Sequence, residues 1–158
     1  MPDWMSHLII GLIIAELFSI RKKSLVIFGA LVPDILSKIH LAYFYLGIPE
    51  IVIFNSFHTP IMVFLFSLLI APLFMYDKIK TVLFFNIGGM SHFLTDLTMK
   101  HFVIIGSRLL FPFSNKNYTF NLVWPEQSLY ILIGSLIVYL TIRFVKKHLC
   151  VRKLKLLK

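Results

Sequence analysis

The sequence predicts an all-α integral membrane protein: a bundle of about five transmembrane helices with a kinked second helix and a re-entrant or interfacial segment near 102–113. Composition is the first reason, since 58% of residues are hydrophobic and mean hydropathy is +0.86, far from soluble-globular averages. Run length is the second: several apolar stretches approach the roughly 20 residues that cross a bilayer. The third is where the charge sits. Net charge is +9, and seven of the sixteen basic residues (Arg143, Lys146, Lys147, Arg152, Lys153, Lys155, Lys158) crowd the C-terminal end, as on a cytoplasmic flank. That placement points to anionic membrane lipids as partners and away from nucleic acid. The length of 158 residues suits one membrane domain over 1–158, with 146–158 as a basic cytoplasmic tail. Cys150 is the only cysteine, which excludes an internal disulfide and a cysteine-based metal site.

The first apolar segment runs from Leu8 to Ile20 and stops at Arg21-Lys22-Lys23, with Asp3 or Ser6 placed to cap its start. No basic stretch precedes it, so it reads as a retained helix and not a cleaved signal peptide. The second segment, Ser24 to Leu46, contains Pro33, which is expected to kink it. The third begins at His58-Thr59-Pro60, where proline suits the first helical position, and continues to Met75. Asp77-Lys78-Ile79-Lys80 separates it from the fourth, Ile79 to Leu97. Residues 98–125 hold no clean span, because Gly106, Arg108 and Pro112 interrupt the apolar run 102–113. Tyr118 and Trp124 suit an interfacial belt. The fifth segment runs from Glu126 to Val145 and into the tail.

The cations at 21–23, at 78–80 and in the tail belong on the cytoplasmic side, which gives five crossings with the N-terminus outside and the C-terminus inside. Counting 1.5 Å per residue from those inner flanks places His7, Asp34, His92 and Asp96 at roughly 21, 16, 18 and 24 Å, in the outer half of a hydrocarbon core about 30 Å thick. The same count puts His58 near the outer surface. His92 and Asp96 are also i and i+4, on one helix face. Ionisable groups at one depth in separate segments imply a shared pocket. His7, Asp34, His58, His92 and Asp96 are therefore the candidate metal ligands, with Asp34 or Asp96 as the catalytic base. Imidazole and carboxylate donors suit Zn²⁺ and also Mn²⁺ or Fe²⁺, as one ion or two. Asp3, four residues before His7, is placed to orient that imidazole, and Ser91 adjoins His92 in the same supporting layer. Arg108 is either a fork for a substrate phosphate or a snorkelling arginine.

With these residues in view, the chain resembles a family of small prokaryotic membrane-bound metal-dependent hydrolases. The matching pieces are Ser6-His7 with Gly11, Gly29-Ala30-Leu31-Val32-Pro33-Asp34, Phe57-His58-Thr59, and Gly88-Gly89-Met90-Ser91-His92-Phe93-Leu94-Thr95-Asp96, together with the stretch 106–113. More distantly the pattern is similar to secreted zinc-dependent phospholipase C proteins, in which an N-terminal Trp lies close to a metal-binding region; Trp4 precedes His7 in that way. The chain departs from the family at Leu36, where a second acidic residue often stands, and around Ile53-Phe54-Asn55, where a second histidine often stands.

The resemblance implies an inner-membrane enzyme that hydrolyses an ester or phosphoester of an amphiphilic, lipid-like substrate by a metal-activated water, with Trp4 and Arg108 as substrate contacts. The alternative is a non-enzymatic membrane protein, either a metal or proton transporter or a scaffold holding a structural metal, since intramembrane His and Asp also mark ion pathways. Below the constellation a pathway would have chiefly Glu16, Ser19 and Ser67 to use.

Overall fold

A computed structural model of the chain describes residues 4–45, 58–100, 108–114 and 116–156. Asp3 and residues 46–57 lie outside that set, as do residues 101–107 of the predicted re-entrant segment. The described residues form five α-helices and no strand: α1 (Trp4–Leu17), α2 (Lys23–Tyr45), α3 (Pro60–Ile70), α4 (Lys78–Thr98) and α5 (Ser128–Leu156). Among the described residues, only the stretch Pro125–Leu149 is long and apolar enough to cross a membrane, while Trp4–Leu17 and Pro60–Leu73 are shorter apolar helices.

Local chemistry sets the boundaries. Ser19 has φ 51, Ile20 N–H reaches back to the Ala15 carbonyl at 2.8 Å, and Ser19 N–H reaches Glu16 at 3.0 Å. This is a Schellman ending, closed by burial of Ile20 against Ala15 and Val26. A serine at that left-handed position costs roughly 1–2 kcal/mol that glycine would avoid. α2 continues as helix through Pro33. Thr59 caps α3, its side chain accepting from Met62 N–H at 3.4 Å with Pro60 behind it. Asp77 caps α4 by accepting from Lys80 N–H at 2.9 Å.

At its far end α4 is closed by residues 120–123. Phe120 N–H bonds the Leu97 carbonyl at 2.6 Å, and Leu122 and Val123 both bond the Thr98 carbonyl, at 2.9 and 3.0 Å. Carbonyls left without helical partners are satisfied in this way. Residues 109–113 form turns, and Leu109 packs on the core around Val32, Val63, Phe85 and Phe93.

The principal interface is α2 on α4. A Cβ on Gly29 would stand 1.9 Å from the Phe85 carbonyl oxygen, and one on Gly88 would stand 2.0 Å from the Val26 carbonyl oxygen. The two backbones touch reciprocally, as small residues allow at membrane-helix contacts. α1 packs on α2 and α4, and α3 packs on α4.

α5 leans on α1 and is fastened by charge. Glu16 is buried and its carboxylate pairs with Lys23 of α2 and, at 3.1 Å, with Arg143 of α5. Lys146 donates to the Glu16 backbone carbonyl and, at 3.1 Å, to the Ser19 hydroxyl. α5 continues through the basic residues to Leu156, because Lys, Arg and Leu are good helix formers.

Gly29→Ala and Gly88→Ala are each expected to lower stability by about 1–3 kcal/mol or more, as overpacking does. Gly134→Ala, where a new Cβ meets nothing within 4 Å, should stay within about 0.5 kcal/mol. Unfolding of the purified protein in detergent reads the difference, and equal midpoints for the Gly88 and Gly134 variants would contradict the backbone contact.

Candidate metal centre

The five candidate ligands come from four parts of the chain and meet. His7 lies on α1, Asp34 follows Pro33 on α2, His58 directly precedes the Thr59 cap of α3, and His92 and Asp96 lie on α4. His7, Asp34, His92 and Asp96 are at most 2% exposed, and His58 is half-buried. Asp96 is the hub. Its Oδ2 stands 2.8 Å from His58 Nε2 and 3.2 Å from His92 Nε2, and its Oδ1 stands 3.5 Å from His7 Nε2. Asp34 Oδ1 is 4.0 Å from His92 Nε2.

The rings are ordered against one another. His7 and His92 stack with centroids 3.9 Å apart, and His58 meets His92 edge-on at 5.0 Å. Phe93 lies edge-on to both His58 and His92 and closes the apolar side. His92 Nδ1 is 2.8 Å from the Ala30 carbonyl oxygen. A carbonyl only accepts, so Nδ1 carries a proton, and Nε2 faces the two aspartates, where the neutral ring has its lone pair. Fixing a metal-binding imidazole through its other nitrogen is the usual supporting arrangement.

Electrostatics favour a cation here. Asp96 lies in the last turn of α4, where the helix dipole is negative, and its ion-pair partners are all imidazoles. His7 Nε2, His92 Nε2 and Asp96 Oδ1 are buried and make no hydrogen bond among the described residues. Two ligand atoms each about 2 Å from a tetrahedral ion stand about 3.3 Å apart, close to the separations found around Asp96. Two sets of three residues, His7–Asp34–His92 and His58–His92–Asp96, have ligand atoms within 4.8 Å of one another. The donor set fits a divalent cation.

The remaining predicted residues are placed differently. Ser91 is buried, but its hydroxyl donates to the Gly88 carbonyl at 2.6 Å and serves α4 itself. Trp4 is exposed at the start of α1. Arg108 is half-buried and forms no hydrogen bond or ion pair with the five. The Ala30 carbonyl escapes sequence reasoning because any residue carries one. The one available signal is Gly88, four residues before His92, which lets α4 come close enough to use it.

A family model described as YdjM inner membrane protein matches residues 1–154, and the chain belongs to this family. Membership agrees with the composition in making this a small prokaryotic inner-membrane protein. No curated protein and no solved structure matches the chain.

Proposed function

We propose that this member of the YdjM inner membrane protein family is a metal-dependent hydrolase acting on an ester or phosphoester of a lipid-like substrate. The observation that carries the reading is the convergence of buried nitrogen and oxygen atoms of His7, His92 and Asp96, which make no hydrogen bond among the described residues. Leaving one such group unsatisfied costs about 1–3 kcal/mol, so a bound cation restores what folding forfeits.

His7, His58, His92 and Asp96 hold the ion, as Zn²⁺, Mn²⁺ or Fe²⁺. His92 Nε2 belongs to both candidate triads but has one lone pair, which favours one ion over two. When bound, a divalent cation supplies Lewis-acid polarisation of the scissile group and lowers the pKa of water. Asp34 approaches from α2, farther from His92 than Asp96 is, and accepts the proton of the attacking water at Oδ1. The Ala30 carbonyl holds the His92 ring in orientation. Arg108 and Trp4 meet the substrate, the guanidinium as a fork for phosphate and the indole at the interface.

The helices cross five times with the N-terminus outside, which sets the site in the outer half of the membrane. A scissile bond can then reach it while acyl chains remain in lipid. Because α1 has 14 residues, it spans only about 21 Å, and the mismatch is met by local thinning of the bilayer or by snorkelling of the residues that flank it.

Four outcomes are expected. A strong chelator abolishes hydrolysis of a fluorogenic phospholipid by the detergent-purified protein, and Zn²⁺ or Mn²⁺ restores it; full chelator-resistant turnover would remove the proposal. Asp34→Asn retains the metal by elemental analysis but loses about 100-fold or more in rate, the scale of a lost general base. His92→Ala and Asp96→Ala lose the metal as well as the rate. Lys116→Cys, in a Cys150→Ser background, is labelled by an impermeant thiol reagent from outside, whereas Cys150 in the unaltered chain is labelled only from the cytoplasmic side.

A further inference from the structure

At the end of the bundle away from the histidines, Glu16, Lys23, Arg143, Phe144, Lys146 and Lys147 line a cavity of about 520 Å³. That volume falls within the roughly 300–1,000 Å³ usual for small-molecule sites. Four cations face one carboxylate. Glu16 engages Lys23 and Arg143, and Lys146 is held by the Glu16 carbonyl and the Ser19 hydroxyl at the negative end of α1. Lys147 has no partner among the described residues.

The lock that fastens α5 uses one donor nitrogen of Arg143, Nη1, on Glu16. A guanidinium has five N–H donors in a planar fork, so most remain for an oxyanion. Phe144 gives the wall an apolar edge at the end of the membrane-crossing stretch Pro125–Leu149. Basic pockets between helices on the cytoplasmic side suit phosphate-bearing lipid headgroups.

We propose that this cavity binds a phosphate group, carried by the headgroup of an anionic phospholipid, with Arg143 and Lys147 as its principal donors. It is separate from the metal centre and does not rest on the hydrolase reading. Lipid is favoured over a free anion as the source because the cavity opens beside Phe144, at the foot of an exposed apolar helix.

The test is native mass spectrometry of the full-length, delipidated protein in detergent, titrated with phosphatidylglycerol and with phosphatidylcholine of the same acyl chains. Phosphatidylglycerol should bind at least tenfold more tightly. Lys147→Gln, which removes no contact of the fold, should weaken it about fivefold, the contribution of one cation near a lipid surface. Arg143→Lys should weaken it by losing the fork while keeping the charge. Arg21→Gln, an exposed cation at the same end but outside the cavity, should leave it unchanged. Equal binding of the two lipids, or equal weakening by Arg21→Gln and Lys147→Gln, would overturn the site in favour of diffuse attraction. Inorganic phosphate, at ionic strength matched with chloride, should not displace the lipid; displacement at millimolar concentration would overturn the lipid source and give the cavity to a free phosphate.

Discussion

The arrangement depends on two helix backbones touching. Side chains normally hold helix axes about 8–10 Å apart, and at Gly29 and Gly88 there are none to do so. Each glycine lies where its partner's carbonyl passes, Phe85 for one and Val26 for the other. The helical period carries that contact onward along α4. Gly88, His92 and Asp96 succeed one another at i+4, so the face that touches α2 at Gly88 faces it again at His92 and Asp96. Because the backbones are in contact, the Ala30 carbonyl lies 2.8 Å from His92 Nδ1, and Asp34, one turn further along α2, comes opposite the other nitrogen of the same ring. A methyl group at Gly88 would disturb packing and, through the separation of the helices, the tautomer and aim of His92.

That proximity carries an electrostatic cost. A carboxylate taken out of water is disfavoured unless it is paired, and Asp96 is only 2% exposed. Asp96 adds to this by sitting at the negative end of α4, and the N–H groups of Phe120, Leu122 and Val123 are occupied with the Leu97 and Thr98 carbonyls. The chain answers with three imidazoles and, around Asp96, neither lysine nor arginine among its ion-pair partners. A lysine or arginine would neutralise the carboxylate permanently and fill the space with its stem. Imidazoles supply lone pairs or protons according to what else is present.

The elements that sequence can locate are those written in local chemistry. Pro60 stands at the first position of α3 as its ring favours, and Thr59 and Asp77 supply the caps of α3 and α4. The depth count groups the candidate ligands because a helix has a fixed rise, so residues numbered from a common basic flank arrive at common heights. It is blind to anything that depends on proximity between segments. Pro33 predicts a kink in α2, and the helix assignment continues through it from Lys23 to Tyr45. Ser91 adjoins His92 in sequence, but neighbours on a helix point about 100° apart, so its hydroxyl turns to its own backbone. Glu16 reads in sequence as an isolated polar residue on an apolar helix. Its partners stand seven and 127 residues away, at separations no local pattern encodes.

The role of α5 rests on the same contrast between the two ends. The fifth segment carries no residue of the histidine cluster, and its apolar surface is largely exposed, so it adds little to the core around Phe85 and Phe93. Its attachment is concentrated at Glu16 and Ser19, where α1 ends in a left-handed turn that presents a carboxylate, a carbonyl and a hydroxyl together. α1 also carries His7, nine residues earlier and so about 13 Å away along the axis. A helix gripped by charge at one end and stacked on His92 at the other is constrained in both rotation and translation, and one residue of slip would turn His7 by about 100° away from Asp96. The ionic lock is thus part of what aims the cluster, although it touches none of its members.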